Sequence, residues 1–280
     1  MSAFERERRI GLIAGSGILP LLVADGIRAR GHRVACIGLR DQHDPTLASH
    51  CDEFARAGTL QLGRWIRAMR RWGVTDAVMV GRVSKATMYQ PLRALRQLPD
   101  LRAALLYYRR LRHDRRSPVL LAAVADELAR SGVTLIDSTT YIRDQMATAG
   151  VMGRHSLSAS QQRDLTFGWP ILRSVANLGV GQAIAVRECD VIAVEAMEGT
   201  DATIDRAGSI CTTGGWTLMK TAHDAHDMRA DVPAVGVPTI ERLKRAGATA
   251  LVLGAGRVIM LERAKVIAAA DSLGIALVGA

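Results

Sequence analysis

The carboxylates of Glu195, Glu198, Asp201, Asp227 and Asp231 fall between Val194 and Ile240 beside Lys220, Arg229, His223 and His226. Short apolar runs adjoin them and read as buried strands, so the acids stand where a strand ends and a loop begins. In an open α/β sheet, ligands bind beyond the carboxyl ends of the strands. Carboxylates gathered there suit a divalent cation with oxygen ligands, or the activation of a water. A solvated acidic loop is the competing reading. Glu198 and Asp201 are assigned to metal or substrate contact, Asp227 to the metal and Glu195 to the substrate. Gly199 and Thr200 lie between them, and Gly199 allows a ligand to approach the backbone closely. Lys220 and Arg229 are candidates for an anionic substrate group, where fixed cations stabilise developing negative charge; salt bridges to the same acids are the alternative. His223 and His226, with Asp224 and Asp227, lack a zinc spacing and read as surface residues. No Gly-x-Ser-x-Gly elbow or Cys/His pair supplies a covalent nucleophile, so direct attack by water is expected.

A second set of candidates lies near the start. Arg9–Ala14 reads as a buried strand, Pro20–Arg30 as a helix and Val34–Leu39 as a second strand, a βαβ unit. The intervening Gly15-Ser16-Gly17 turn presents backbone N–H groups at a helix start, a site for a phosphate or sugar hydroxyl. A plain tight turn is the alternative. The dinucleotide fingerprint is incomplete, because Pro20 stands where the third Gly belongs and no acid ends the second strand. Asp76–Val80 is a further strand, followed by the cationic turn Gly81-Arg82-Val83-Ser84-Lys85. If the strands are parallel, that turn shares an edge with Gly15-Ser16-Gly17; taken alone, Arg82, Ser84 and Lys85 read as ordinary solvated loop residues.

These residues require an α/β fold in two lobes. Residues 1–140 read as a Rossmann-like N-terminal βαβ domain, and 141–280 as a mixed α/β C-terminal domain bearing the acidic motifs. Residues 41–52 read as a polar loop. The helix from Gln161 to Leu178 is expected to break around Gly168-Trp169-Pro170. Arg187–Asp190 reads as a hairpin turn, and Thr239 as the N-cap of a late helix.

The chain has 280 residues and a net charge of +10. Between Arg56 and Arg116 stand fifteen Arg or Lys against three acids, Asp76, Asp100 and Asp114. Such a region suits nucleic acid, an anionic membrane surface or simple solvation. With four Trp, four Tyr and three Phe, aromatics are too scarce for a single-strand stacking platform, and no nucleic-acid-binding signature accompanies the cations. Cys36, Cys51, Cys189 and Cys211 are scattered, as reduced cytosolic thiols would be. The Glu- and Arg-rich start is not a signal peptide, and no apolar run has the length of a membrane span. A cytoplasmic protein is expected.

Glu195-Ala196-Met197-Glu198-Gly199-Thr200-Asp201 and Asp227-Met228-Arg229-Ala230-Asp231-Val232-Pro233-Ala234-Val235-Gly236 resemble the LpxI-type UDP-2,3-diacylglucosamine diphosphatases of bacterial lipid A biosynthesis. The likeness extends to Gly11–Pro20, Gly179–Ala183 and Val266–Asp271, and so covers almost the whole chain in order. The family carries a Gly-x-Val-Ser turn similar to Gly81-Arg82-Val83-Ser84, which implies phosphate contacts at Arg82, Ser84 and Lys85. It implies hydrolysis of UDP-2,3-diacylglucosamine to UMP and 2,3-diacylglucosamine 1-phosphate, with Mg²⁺ (or Mn²⁺) as cofactor. It makes Asp231 the catalytic residue, since the aspartate at this motif position is essential in the family. A homodimer is implied too. The basic helix suits peripheral attachment to the inner membrane, where such a substrate resides, and no nucleic-acid partner is expected. The chain departs from the family at Ser117-Pro118-Val119, where relatives commonly carry acids before the leucine pair. A non-catalytic nucleotide-sugar or glycolipid sensor is the alternative that this departure keeps open; a nucleic-acid-binding protein using residues 56–116 is the other.

Overall fold

The computed structural model describes residues 7–83, 99–112, 117–224, 227–229 and 232–280. Ser84, Lys85, His226 and Asp231 lie outside the described residues. The chain forms two compact units, Met1–Ile142 with Asp227–Asp231, and Arg143–His226 with Val232–Ala280. The sequence placed a boundary near 140 and assigned the whole acidic stretch to the second domain; the structure counts the short segment beginning at Asp227 with the first.

The first unit is Rossmann-like. Its elements are β1 (Arg9–Ala14), α1 (Leu19–Ala29), β2 (Arg33–Leu39), β3 (Glu53–Ala57), α2 (Leu62–Arg71), β4 (Asp76–Val80), α3 (Leu101–Leu106), α4 (Ser117–Arg130) and β5 (Thr134–Leu135). All five strands are parallel, in the order β3-β2-β1-β4-β5. β1 and β2 are buried along nearly their whole length, as expected of central strands covered on both faces. In α2, Leu62, Trp65, Ile66 and Met69 are buried, and the arginines at 64, 67, 70 and 71 occupy the other face. The sequence reading missed β3. Residues 45–50 form a 3-10 turn, after which Glu53–Ala57 joins the sheet as its edge, with Asp52 Oδ2 accepting from Val34 N–H at 2.8 Å.

The second unit holds β6 (Gly150–Val151), α5 (Ala159–Asn177), β7 (Ala183–Arg187), β8 (Asp190–Val194), α6 (Thr200–Ile210), β9 (Trp216–Lys220), β10 (Ala234–Val235), α7 (Val237–Arg245), β11 (Ala248–Leu253), β12 (Ile259–Met260), α8 (Arg263–Leu273) and β13 (Ala276–Gly279). Its six-stranded sheet runs β6-β13-β11-β9-β7-β8 and is mixed, with β13, β11 and β9 parallel. β10 and β12 pair separately. Trp216, Ile204, Ile240, Leu251 and Leu277 lie in its core, and Trp216 Nε1 donates to Ala246 O at 3.0 Å.

Two local expectations are corrected in this unit. α5 runs unbroken through Pro170. Its start is fixed by a capping box between Ser158 and Gln161, and Gly168 lets it press onto the sheet. A Cβ on Gly168 would lie 2.9 Å from Val186 and 3.0 Å from Met219. That tertiary seat outweighs the one hydrogen bond a proline removes. Gly236, not Thr239, caps α7; Thr239 sits in its first turn and accepts from Gly236 N–H at 3.4 Å. The hairpin is as expected, with Glu188 and Cys189 at φ 53° and 58° forming its tight turn.

Candidate active site

The first unit places its candidates at the switch point of the sheet, between β1 and β4, where a doubly wound fold binds ligands. The two turns that follow these strands do share one edge and are joined there. Ser16 N–H donates to Arg82 O at 2.9 Å, Arg82 N–H returns to Ser16 O at 3.0 Å, and Ser16 Oγ also donates to Arg82 O. Gly15 is buried, and its N–H is taken by Val80 O at 2.8 Å. Its absent side chain serves the join, because a Cβ there would stand 2.5 Å from Arg82 O. Gly15→Ala should therefore lower stability by about 2 kcal/mol, the cost of forcing packed backbone apart. Chemical denaturation checks this; an unchanged midpoint would show that the turns separate freely.

Anion-binding capacity lies one step further on. Gly17 is exposed at φ 97°, a conformation that favours glycine. Among the described residues nothing accepts from the N–H groups of Gly17 and Ile18, which open α1. Helix starts of this kind receive phosphates. The Arg82 side chain, on the turn joined to Ser16, is exposed.

The same unit holds Asp227 and Arg229. Ser138 N–H and Oγ both donate to Met228 O, at 2.9 and 2.8 Å, which anchors this segment beyond β5. Asp227 and Arg229 form a two-pronged ion pair, Nε to Oδ1 at 2.8 Å and Nη2 to Oδ2 at 2.7 Å. The Asp227 carboxylate raises the Arg229 pKa, so the guanidinium stays charged. The metal ligand and the substrate-binding cation foreseen here are thus engaged with each other.

In the second unit, two antiparallel pairings bring distant residues to one edge. β7 pairs with β9 so that Ala183 faces Lys220, and with β8 so that Ile184 faces Val194. The end of β8 therefore lies near the end of β9, although Glu195 and Lys220 are far apart in sequence. Glu195 and Lys220 are both buried, with 8% and 6% of their surface exposed. Thr200, at the start of α6, joins them. Lys220 Nζ donates to Thr200 Oγ1 at 2.6 Å, and that hydroxyl donates to Glu195 Oε1 at 2.9 Å. Glu195 Oε2 is buried with no hydrogen-bond partner among the described residues. Gly199, at φ 82°, leads the chain into α6 with open space where a side chain would be.

The other acids of this stretch turn elsewhere. Glu198 Oε1 pairs with Arg206 at 2.9 Å, and its Oε2 accepts from Ala196 N–H. Asp201 is largely exposed and faces Arg242 at 3.9 Å, an arginine that also holds Asp205. Asp224 is bound by Arg173 at 2.8 Å and by Asn177, and chiefly the Arg173 bond lowers its pKa. Sequence reasoning named none of these arginines as partners, since helix faces and not spacing bring them in. Among the described residues no group of three His, Cys, Asp or Glu is gathered as a metal would require. Glu198, Asp201 and Asp227, each facing an arginine, do not fit a cation centre as they stand.

Residues 9–145 match the LpxI N-terminal domain, and residues 148–278 match the LpxI C-terminal domain. The chain is 31% identical over 282 residues to a protein of Caulobacter vibrioides named UDP-2,3-diacylglucosamine pyrophosphatase LpxI, covering 97% of each. Among solved structures, a nucleoside-diphosphate-sugar epimerase from Pseudomonas aeruginosa is 14% identical, with 98% of this chain and 88% of that one covered and a TM-score of 0.29. The biotin carboxylase domain of a single-chain bacterial carboxylase is 11% identical, with 62% and 35% covered and a TM-score of 0.27. Likenesses that slight carry no weight for this chain.

Proposed function

The chain belongs to the LpxI family, and from that premise we propose that it hydrolyses the diphosphate of UDP-2,3-diacylglucosamine to UMP and 2,3-diacylglucosamine 1-phosphate, a step in lipid A biosynthesis. One observation carries this: the relative named for that substrate is matched over 97% of both chains. The water oxygen bonds to phosphorus, the P–O anhydride bond breaks, and the bridging oxygen leaves with its electron pair on the other phosphate. Asp231 orients the water and takes its proton. Lys220 offsets the negative charge that develops on the diphosphate, with Glu195, Gly199 and Thr200 holding it in place. In the first unit, Gly17 with Ser16, and Arg82 with Ser84 and Lys85, meet a phosphate or sugar hydroxyl.

Dependence on Mg²⁺ or Mn²⁺ belongs to the same proposal. The density of carboxylates between 195 and 231 supports it; the placement of Glu198, Asp201 and Asp227 does not. A homodimeric state and peripheral attachment to the inner membrane are further parts of the proposal. No helix among the described residues is long and apolar enough to cross a membrane. The test is release of UMP from UDP-2,3-diacylglucosamine in mixed micelles by the purified chain, with Mg²⁺ or Mn²⁺ present. Saturable binding of substrate without turnover would favour the sensor, which Ser117-Pro118 in place of the relatives' acids supports.

A further inference from the structure

The segment from Leu101 to Arg112 has two unlike faces. Asp100 caps α3, its Oδ1 accepting from Ala103 N–H at 2.9 Å, and the helix continues as a wider π turn over Tyr107–Leu111. Leu106 and Leu111 are buried in the core of the first unit, and Ala103 packs against it. Two cations flanking that packed side are neutralised by α4: Arg102 pairs with Glu127 at 3.1 Å and Arg110 with Asp126 at 2.5 Å. The opposite side carries Leu101, Leu105 and Tyr108, spaced four and three residues apart, a stripe along one helical face. They are 90%, 47% and 65% exposed. Arg109 is exposed next to the stripe, and the Arg112 guanidinium lies 5.1 Å from the centre of the Tyr108 ring.

We propose that this stripe is a membrane-docking surface, whose leucines and tyrosine enter the headgroup boundary of an anionic lipid leaflet while the neighbouring arginines meet its phosphates. The inference rests on the proposed function in one respect, that a diacylated substrate resides in lipid. Charge selects the occupant. With Arg102 and Arg110 neutralised by α4, the cations left beside the stripe are Arg109 and Arg112, and they complement an anionic lipid surface. Two copies of this chain would instead bring like charges together. A duplex would use the arginines but leave Leu101 and Leu105 in water. Tyr108 matches the belt position of amphipathic rings at a membrane interface.

The experiment is flotation of the full chain with phosphatidylcholine vesicles, with and without phosphatidylglycerol, for wild type and for the double variant Leu101→Ser/Leu105→Ser. Wild type should float with the anionic vesicles only. The double variant should bind them at least tenfold more weakly, with an unchanged unfolding midpoint, since neither side chain belongs to the core. Hydrolysis of a short-chain substrate analogue dispersed as monomers should be the same for both. As a second readout, Leu101→Trp should gain fluorescence quenching by brominated lipid. Equal flotation of wild type and double variant would overturn the proposal, as would a loss of self-association or of duplex binding in place of vesicle binding. Vesicle binding that depends on the stripe in a protein without turnover would defeat the enzymatic reading and leave the docking surface standing.

Discussion

Asp231→Ala is expected to lower kcat by about 1,000-fold, the middle of the range for loss of a positioned general base. Substrate binding should survive, because a water-directing carboxylate acts mainly in the transition state. Two comparisons isolate the effect. Asp227→Ala removes an acid four residues earlier, but one held by Arg229 in a half-exposed pair whose loss costs no more than about 1 kcal/mol. It should leave most of the turnover intact. Chelation of divalent cations is the second: a loss matching Asp231→Ala would support the proposed dependence on Mg²⁺ or Mn²⁺, and unchanged turnover would agree with Glu198, Asp201 and Asp227 each facing an arginine. The readout is single-turnover UMP release, which separates chemistry from product release. Equal losses from Asp227→Ala and Asp231→Ala would mean that the Asp227–Arg229 pair opens to serve the reaction. Turnover untouched by Asp231→Ala would move the water-activating group elsewhere and leave the overall reaction in place.

What could be read in advance followed from continuous apolar runs. β1, β2 and β4 stand out because parallel strands buried on both faces leave no polar alternation, and parallel pairing then requires their following turns to share an edge. Gly15 and Arg82 were placed together by that logic and are in contact. The roles within the turn were not legible, because the Gly15 and Ser16 N–H groups bond to backbone 65 or more residues away. β3 escaped notice because a short edge strand carrying Glu53 and Arg56 is patterned like a loop. The same limit applied to the acids. Spacing marked Glu195, Glu198 and Asp201 as one group, yet the strand end buries Glu195 while α6 and α7 draw Glu198 and Asp201 to Arg206 and Arg242. Which acid meets which cation is decided by helix packing, and one chain's composition holds no record of it.

Lys220→Met should be the second severe change. It keeps the apolar stem and removes the ammonium, and loss of a fixed charge-stabilising donor lowers kcat by about 100- to 1,000-fold. It also takes a cation from the neighbourhood of the buried Glu195 carboxylate, at a cost reaching about 3–5 kcal/mol when such a charge is left uncompensated. Rates must therefore be measured well below the unfolding midpoint. The Thr200 hydroxyl allows the catalytic part to be separated from the structural one. A carboxylate can only accept, so the hydroxyl proton points to Glu195 Oε1 and a lone pair is left facing Lys220 Nζ. Thr200→Val keeps the shape and loses both bonds, and should reduce kcat by about 10-fold or more, the equivalent of one hydrogen bond to a charged group. Thr200→Ser restores the hydroxyl and should restore most of the rate. Glu195→Gln still accepts from Thr200 but sets N–H donors where Oε2 has no partner among the described residues, so stability should fall with a smaller change in kcat. A Thr200→Val enzyme with wild-type kcat would show that Lys220 needs no such alignment. Equal losses in Thr200→Val and Thr200→Ser would transfer the effect from the hydroxyl to the packing of the residue that opens α6.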